Sequence, residues 1–195
     1  MHTRSEGSIS LPYGAAALTR LLSEADAAPT TADNKPLTRD DLAKEIETKI
    51  ATVYHTDLQM PADMAARSQE RGGITLYLSG GGFRAWGYLL MNNVSQPSAH
   101  PTTPDINGFK VSGREFADVD DVLRSMAEKQ VKIPGIPKRR IPQIPAVAFL
   151  VRILCSSSSS SSAIPDNIKD VVFCRGGVRE GYLLDHPDAL LSSRS

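Results

Sequence analysis

Residues 74–82 place an apolar run, ITLYLS, directly ahead of three glycines, Gly80, Gly81 and Gly82, and a second apolar run, FRAWGYLLM, follows at once. A strand that enters a helix through glycines can cradle an anion. Glycine permits positive φ and close approach of a ligand or another backbone, and the first N–H groups of the helix and its dipole favour negative charge. Ser79, Gly80, Gly81 and Gly82 are therefore the first candidates for contact with a phosphate, or with the base and ribose of a nucleotide. Arg84 falls in the first turn of the expected helix, where a cation opposes the dipole unless a phosphate or an acid partners it. The pattern recurs near the C-terminus, where VVFC at 171–174 runs into RGGVREGYLL. Two such corners lying side by side in one sheet could face one ligand. Each alone also reads as an ordinary tight turn, because short glycine motifs match often by chance.

Lys138, Arg139 and Arg140 form the dense basic cluster of the chain. Guanidinium groups bind phosphate through paired hydrogen bonds, so a polyanion suits the cluster, as does plain solvation of a loop. Arg175, Arg179 and Glu180 flank the second glycine corner, and Arg179–Glu180 reads as an ion pair that orients it. No catalytic acid or base stands out. Asp105, Asp118, Asp120 and Asp121 read as turn and helix-cap residues. Trp86, inside an apolar helix, reads as core. Cys155 and Cys174 have no CxxC spacing, and His2, His55, His100 and His186 are scattered, so no metal site is legible and the thiols read as small apolar residues.

The chain has 195 residues, a formal net charge of +0, 41% hydrophobic and 23% charged residues. This is the composition of a globular domain, and zero net charge argues against a nucleic-acid surface. No apolar run reaches the length of a membrane span, and the N-terminus lacks the apolar core of a signal peptide. Two unpaired thiols suit a reducing, cytoplasmic setting.

Residues 8–11 read as a short strand, followed by a turn and a helix at 15–24 with Leu18, Leu21 and Leu22 on one face. Thr38 and Asp41 form a capping box for a helix carrying Leu42, Ile46, Ile50 and Val53, with Leu37 positioned to staple onto Leu42. After the strand at 74–79 and the helix at 83–93, Asn107-Gly108 marks a turn into a short strand at 109–111. Asp118 can cap a helix with Val119, Val122, Leu123 and Met126. Four prolines forbid a continuous helix over 131–145. Residues 146–154, AVAFLVRIL, are apolar all round and read as a buried helix. The seven serines at 156–162 read as a flexible surface loop. A strand at 171–174 and a helix from about Val178 close the domain, and the tail frays. Strands alternating with helices imply an α/β architecture. Three core strands are few for a sheet, which looks as though its opening strands were missing.

The motifs resemble those of Ppx/GppA phosphatases, the exopolyphosphatase and guanosine-pentaphosphate phosphatase group. SISLPYGAAALTRLL is similar to their S-LP-GA-RLT segment, and ITLYLSGGGFRAWGYLL to the strand–glycine–helix unit after it. VKIPGIPKRRIPQIPAVAFLVRIL resembles their R-x-D-x-I-x-P-G helix entry, and VVFCRGGVREGYLL their G-L-R-E-G ending. The order is right, and the wording of GGGFRAWGYLLM and INGFKVSGREF looks most like the fungal retrograde-regulation branch.

The resemblance implies an α/β, ribonuclease-H-like lobe of the acetate kinase/Hsp70/actin superfamily. Residues 8–186 would form the second of two lobes, with flexible termini at 1–7 and 187–195. The implied function is hydrolysis of the terminal phosphate of polyphosphate or a phosphorylated nucleotide, inactive in this chain alone. In the family the acid that activates water and the D-x-G-G-G-S loop lie in segments not found here, so the first partner expected is a missing first lobe. A divalent metal such as Mg is expected for the complete fold, with none held by this chain. The candidate ligand contacts are Ser79, Gly80, Gly81, Gly82, Arg84, Arg139 and Arg179. Two departures stand out: the family's small residue–Ser-Gly-Thr turn is here Ser79-Gly80-Gly81-Gly82-Phe83, which loses a hydroxyl, and Ile141 replaces the aspartate after Arg139. Both suit the alternative expectation, a non-catalytic regulatory module that binds protein partners in mitochondria-to-nucleus signalling. A dinucleotide-binding enzyme is disfavoured, since the glycines do not read GxGxxG.

Overall fold

A computed structural model describes residues 11–27, 38–57, 62–94, 105–129, 133–155 and 168–176. Helix α1 (Ala15–Ala27) and α2 (Arg39–Thr52) come first, then a π-helical turn at Val53–Asp57 and α3 (Ala62–Arg71). Strand β1 (Ile74–Leu78) leads into α4 (Gly81–Val94), followed by β2 (Phe109–Ser112), α5 (Gly113–Ala117) and α6 (Val119–Lys129). A 3-10 turn at Lys138–Gln143 leads into α7 (Ile144–Cys155), and β3 (Ile168–Phe173) completes the set.

The described strands form one mixed sheet in the order β1-β3-β2. β1 and β3 are parallel, pairing Leu78 with Phe173, and β2 runs antiparallel to β3, pairing Phe109 with Phe173. Side chains alternate between sheet faces. Leu76, Leu78, Val111, Val171 and Phe173 therefore point together into the main core. There they meet Trp86, Leu89 and Leu90 of α4 and Val147, Ala148 and Val151 of α7. The opposite face carries Thr75, Lys110 and Tyr77, the last 71% exposed. A second cluster joins Leu18 and Leu22 of α1, Leu42 and Ile46 of α2, and Ala146 and Ile153 of α7. Helix α7 lies between the two clusters, which is why its sequence is apolar all round.

Local chemistry explains most of these boundaries. The Thr38 side chain accepts from the Asp41 N–H while the Asp41 carboxylate accepts from Thr38, so the expected capping box is present. Asp118 Oδ1 accepts from Asp121 N at 3.3 Å and caps α6. Pro145 sits in the first turn of α7, and Pro142 is confined to the 3-10 turn before it.

Several expectations are corrected. Helix α4 starts at Gly81, not 83, so two of the three glycines are helical and the link shrinks to Ser79 and Gly80. Only Gly80 of the three has a positive φ, at 94°. Leu11 is not in a strand, and the third strand of the sheet is β2. Strand β3 begins at Ile168 and ends at Phe173, one residue short of Cys174. Helices α3 and α5 were not expected, although Ser112 and Glu115 form a second capping box that heads α5. The strand-like residues 8–10, the Leu37 staple, the serine tract, the helix after the second corner with Arg179 and Glu180, and both termini lie outside the described residues.

Candidate functional site

Parallel pairing of β1 and β3 brings the ends of both strands to one edge of the sheet. The Cys174 N–H donates to the Leu78 carbonyl at 2.8 Å, which carries the pairing one residue past β3. Arg175 follows directly. Its N–H donates to Asn107 Oδ1 at 3.0 Å, and its carbonyl accepts from Arg84 Nη1 at 3.0 Å. The turn ahead of β2 is held in turn by Asp105 Oδ1, which accepts from Asn107 N, and by the Gly108 N–H, which donates to the Phe173 carbonyl. The ends of β1 and β3 thus lie side by side, with the 105–108 turn as a third element, and the second corner beyond residue 176 lies outside the described residues.

In front of them opens a cleft of about 400 Å³. Arg84 enters from α4, Arg175 from the end of β3, and Arg139 and Arg140 from the 3-10 turn. Tyr88 and Gly135 close one side, and Asp105 is the one carboxylate in the lining. Among the described residues, no carboxylate makes an ion pair with any of the four guanidiniums. Arg84 is tied to a carbonyl and Arg140 Nη1 to Gln143 Oε1 at 2.8 Å. Four like charges gathered without acidic partners repel one another, and an anion relieves that repulsion.

A second cleft of about 410 Å³ opens on the other side of the corner. Its walls are mostly apolar, with Tyr13, Leu18, Phe83, Val147 and Leu150, and main chain from Ser79 to Gly82. Gly81 and Arg140 line both clefts. The sequence-derived candidates are therefore divided. Arg84 and Arg139 meet in the arginine cleft. Ser79, Gly80 and Gly82 face the apolar one, and Gly81 borders both. Arg179 lies outside the described residues. The candidate set omitted Arg140 and Arg175, whose signals were their places beside Arg139 and directly after β3.

The first intrahelical bond of α4 runs from Arg84 N to the Gly80 carbonyl at 3.0 Å. The N–H groups of Gly81, Gly82 and Phe83 precede it and have no partner within the helix. There is no acid in this first turn. Trp86 is fully buried in the core, as expected. Burial pushes the Cys155 thiol up to about 11, which keeps it protonated at neutral pH and supports a packing role. Among the described residues no three His, Cys, Asp or Glu side chains gather as a metal would require. No described helix is long and apolar enough to cross a membrane.

No protein-family model matches the chain. It is 31% identical over 185 residues to retrograde regulation protein 2 of Saccharomyces cerevisiae, a match that takes in 92% of this chain and 28% of that protein. Among solved structures, an exopolyphosphatase-like protein aligns with 92% of this chain and 48% of its own, at 20% identity and a TM-score of 0.49. Over nearly its whole length the chain is similar to that retrograde regulation protein. It spans a little over a quarter of the length of the curated relative it matches.

Proposed function

We propose that this chain supplies a phosphate-binding wall of a Ppx/GppA-type domain, as the second of its two ribonuclease-H-like lobes. The observation that carries this reading is the cleft in which Arg84, Arg139, Arg140 and Arg175 converge against a single carboxylate. Polyphosphate or a phosphorylated nucleotide is the ligand class that four guanidiniums suit best. Hydrolysis of a terminal phosphate also needs a positioned water, a base and usually a metal. Asp105, the one carboxylate in the cleft lining, is already engaged by the Asn107 N–H in holding the turn ahead of β2. In this reading the water-activating acid and the metal belong to the first lobe that the resemblance implies. The purified chain should bind inorganic tripolyphosphate and release no phosphate from it. Release above a Gly80→Arg control contradicts this assignment.

A second reading is supported by the name of the relative, a retrograde regulation protein, and by the open sheet face around Tyr77. In that reading the cleft binds its anion without turnover, and the chain works through protein partners in mitochondria-to-nucleus signalling. The two readings separate in the full-length protein. A phosphatase loses hydrolysis when Arg139 is changed to Ala, whereas a regulator shows no hydrolysis to lose.

A further inference from the structure

We propose that Gly81 is a positioning residue: its bare Cα is the seat that holds the Arg140 guanidinium at the wall shared by the two clefts. The inference rests on the phosphate-binding reading of the arginine cleft. A Cβ built on Gly81 would stand 2.6 Å from Arg140 Nη2, 2.7 Å from Cζ and 3.1 Å from Nε. The guanidinium plane therefore lies flat against the glycine, closer than any side chain there would allow. Gln143 Oε1 holds the same group from the other side, accepting from Nη1 at 2.8 Å. The Arg140 N–H donates to the Pro137 carbonyl at 2.8 Å, which fixes the base of the side chain. Glycine and glutamine together select one position for a long side chain that otherwise has many rotamers, and less of its freedom remains to be lost when an anion arrives.

The backbone does not need glycine here. Gly81 is not among the residues with positive φ, and it opens a helix, where alanine is the better helix former. Its neighbour in the clash is the far end of a flexible side chain, so a methyl group displaces Arg140 and leaves the fold intact. Requirement for glycine at this position is thus tied to the placement of one guanidinium. This predicts opposite signs for two measurements on Gly81→Ala, weaker anion binding and unchanged or higher thermal stability.

The test is a double-mutant cycle on the 195-residue chain, titrated with inorganic tripolyphosphate: wild type, Gly81→Ala, Arg140→Ala and both together. Gly81→Ala should weaken binding about tenfold, the scale of one charge-assisted hydrogen bond. It should weaken binding less than twofold, roughly the noise of such cycles, when Arg140 is already Ala. Its melting temperature should not fall. An equal loss in both backgrounds, or no loss in either, overturns the positioning role while leaving the anion site standing. Absence of tripolyphosphate binding by the wild-type chain overturns the anion site, and the positioning role with it.

Discussion

Helices α2 and α4 are equally long, 14 residues each, and their first turns are built in opposite ways. Helix α2 begins with Thr38 and Asp41 in a reciprocal capping box and has Asp40 and Asp41 against the positive end of its dipole. Helix α4 begins with two glycines, has no acid in its first turn, carries Arg84 there, and faces Arg140 across Gly81. The first arrangement satisfies the helix terminus internally and serves packing alone. The second leaves N–H groups open and adds cations to an end that is already positive. Such an end is costly in isolation and becomes favourable when an anion occupies it. The difference marks which terminus is structural and which is the candidate site.

Charge reversal should break the contrast most severely. Arg139→Glu together with Arg175→Glu replaces two of the four cleft cations with acids and should weaken tripolyphosphate binding by about 100-fold or more, at about 1.5–3 kcal/mol for each charged hydrogen bond lost. The same pair of changes should leave the melting temperature within a few degrees, because both residues are exposed. Arg84→Glu makes the start of α4 resemble that of α2. Binding should weaken about tenfold or more. Stability should change little, since a gain of about 0.5 kcal/mol from the dipole offsets the loss of the Arg175 carbonyl contact. Urea unfolding and titration of the same protein separate the two effects.

Thr38→Ala addresses the other side of the contrast. It should cost about 1 kcal/mol of stability and leave tripolyphosphate affinity unchanged within twofold. Loss of affinity there would mean that the two termini are not independent. A smaller effect is expected from acid. The Ser112 hydroxyl and N–H hold the Glu115 carboxyl below its usual range. A depressed carboxylate contributes stability that is present above the ordinary glutamate range and is lost as pH falls through its folded-state value. Hydrogen exchange should show the α5 turn loosening below about pH 4, close to the ordinary glutamate value, and Glu115→Gln should remove that pH dependence.

The structural terminus was legible in the sequence, because a capping box is a local pattern of fixed spacing. The burial of α7 was legible for the same reason, in the unbroken apolar run from 146 to 151. The α5 box, Ser112 with Glu115, has the same signature but heads a helix of five residues, too short to carry apolar periodicity. The site was only half legible. Glycines and Arg84 could be read at one corner, but Arg84 and Arg175 are 91 positions apart and meet because β1 and β3 pair in parallel. Arg140 stood in the basic cluster without any sign that it would lie against Gly81. That contact arises from the packing of α7 against α4, which no local pattern encodes.

The measurement that tests the central claim most directly is calorimetric titration of the 195-residue chain with inorganic tripolyphosphate at about 50 and 200 mM salt. These concentrations straddle the range in which screening of exposed charges changes strongly. The account predicts saturable binding at a single site, several-fold weaker at the higher salt and lost in the Arg139→Glu/Arg175→Glu protein. Binding that survives that double substitution, or no saturable binding by the wild-type chain, contradicts it.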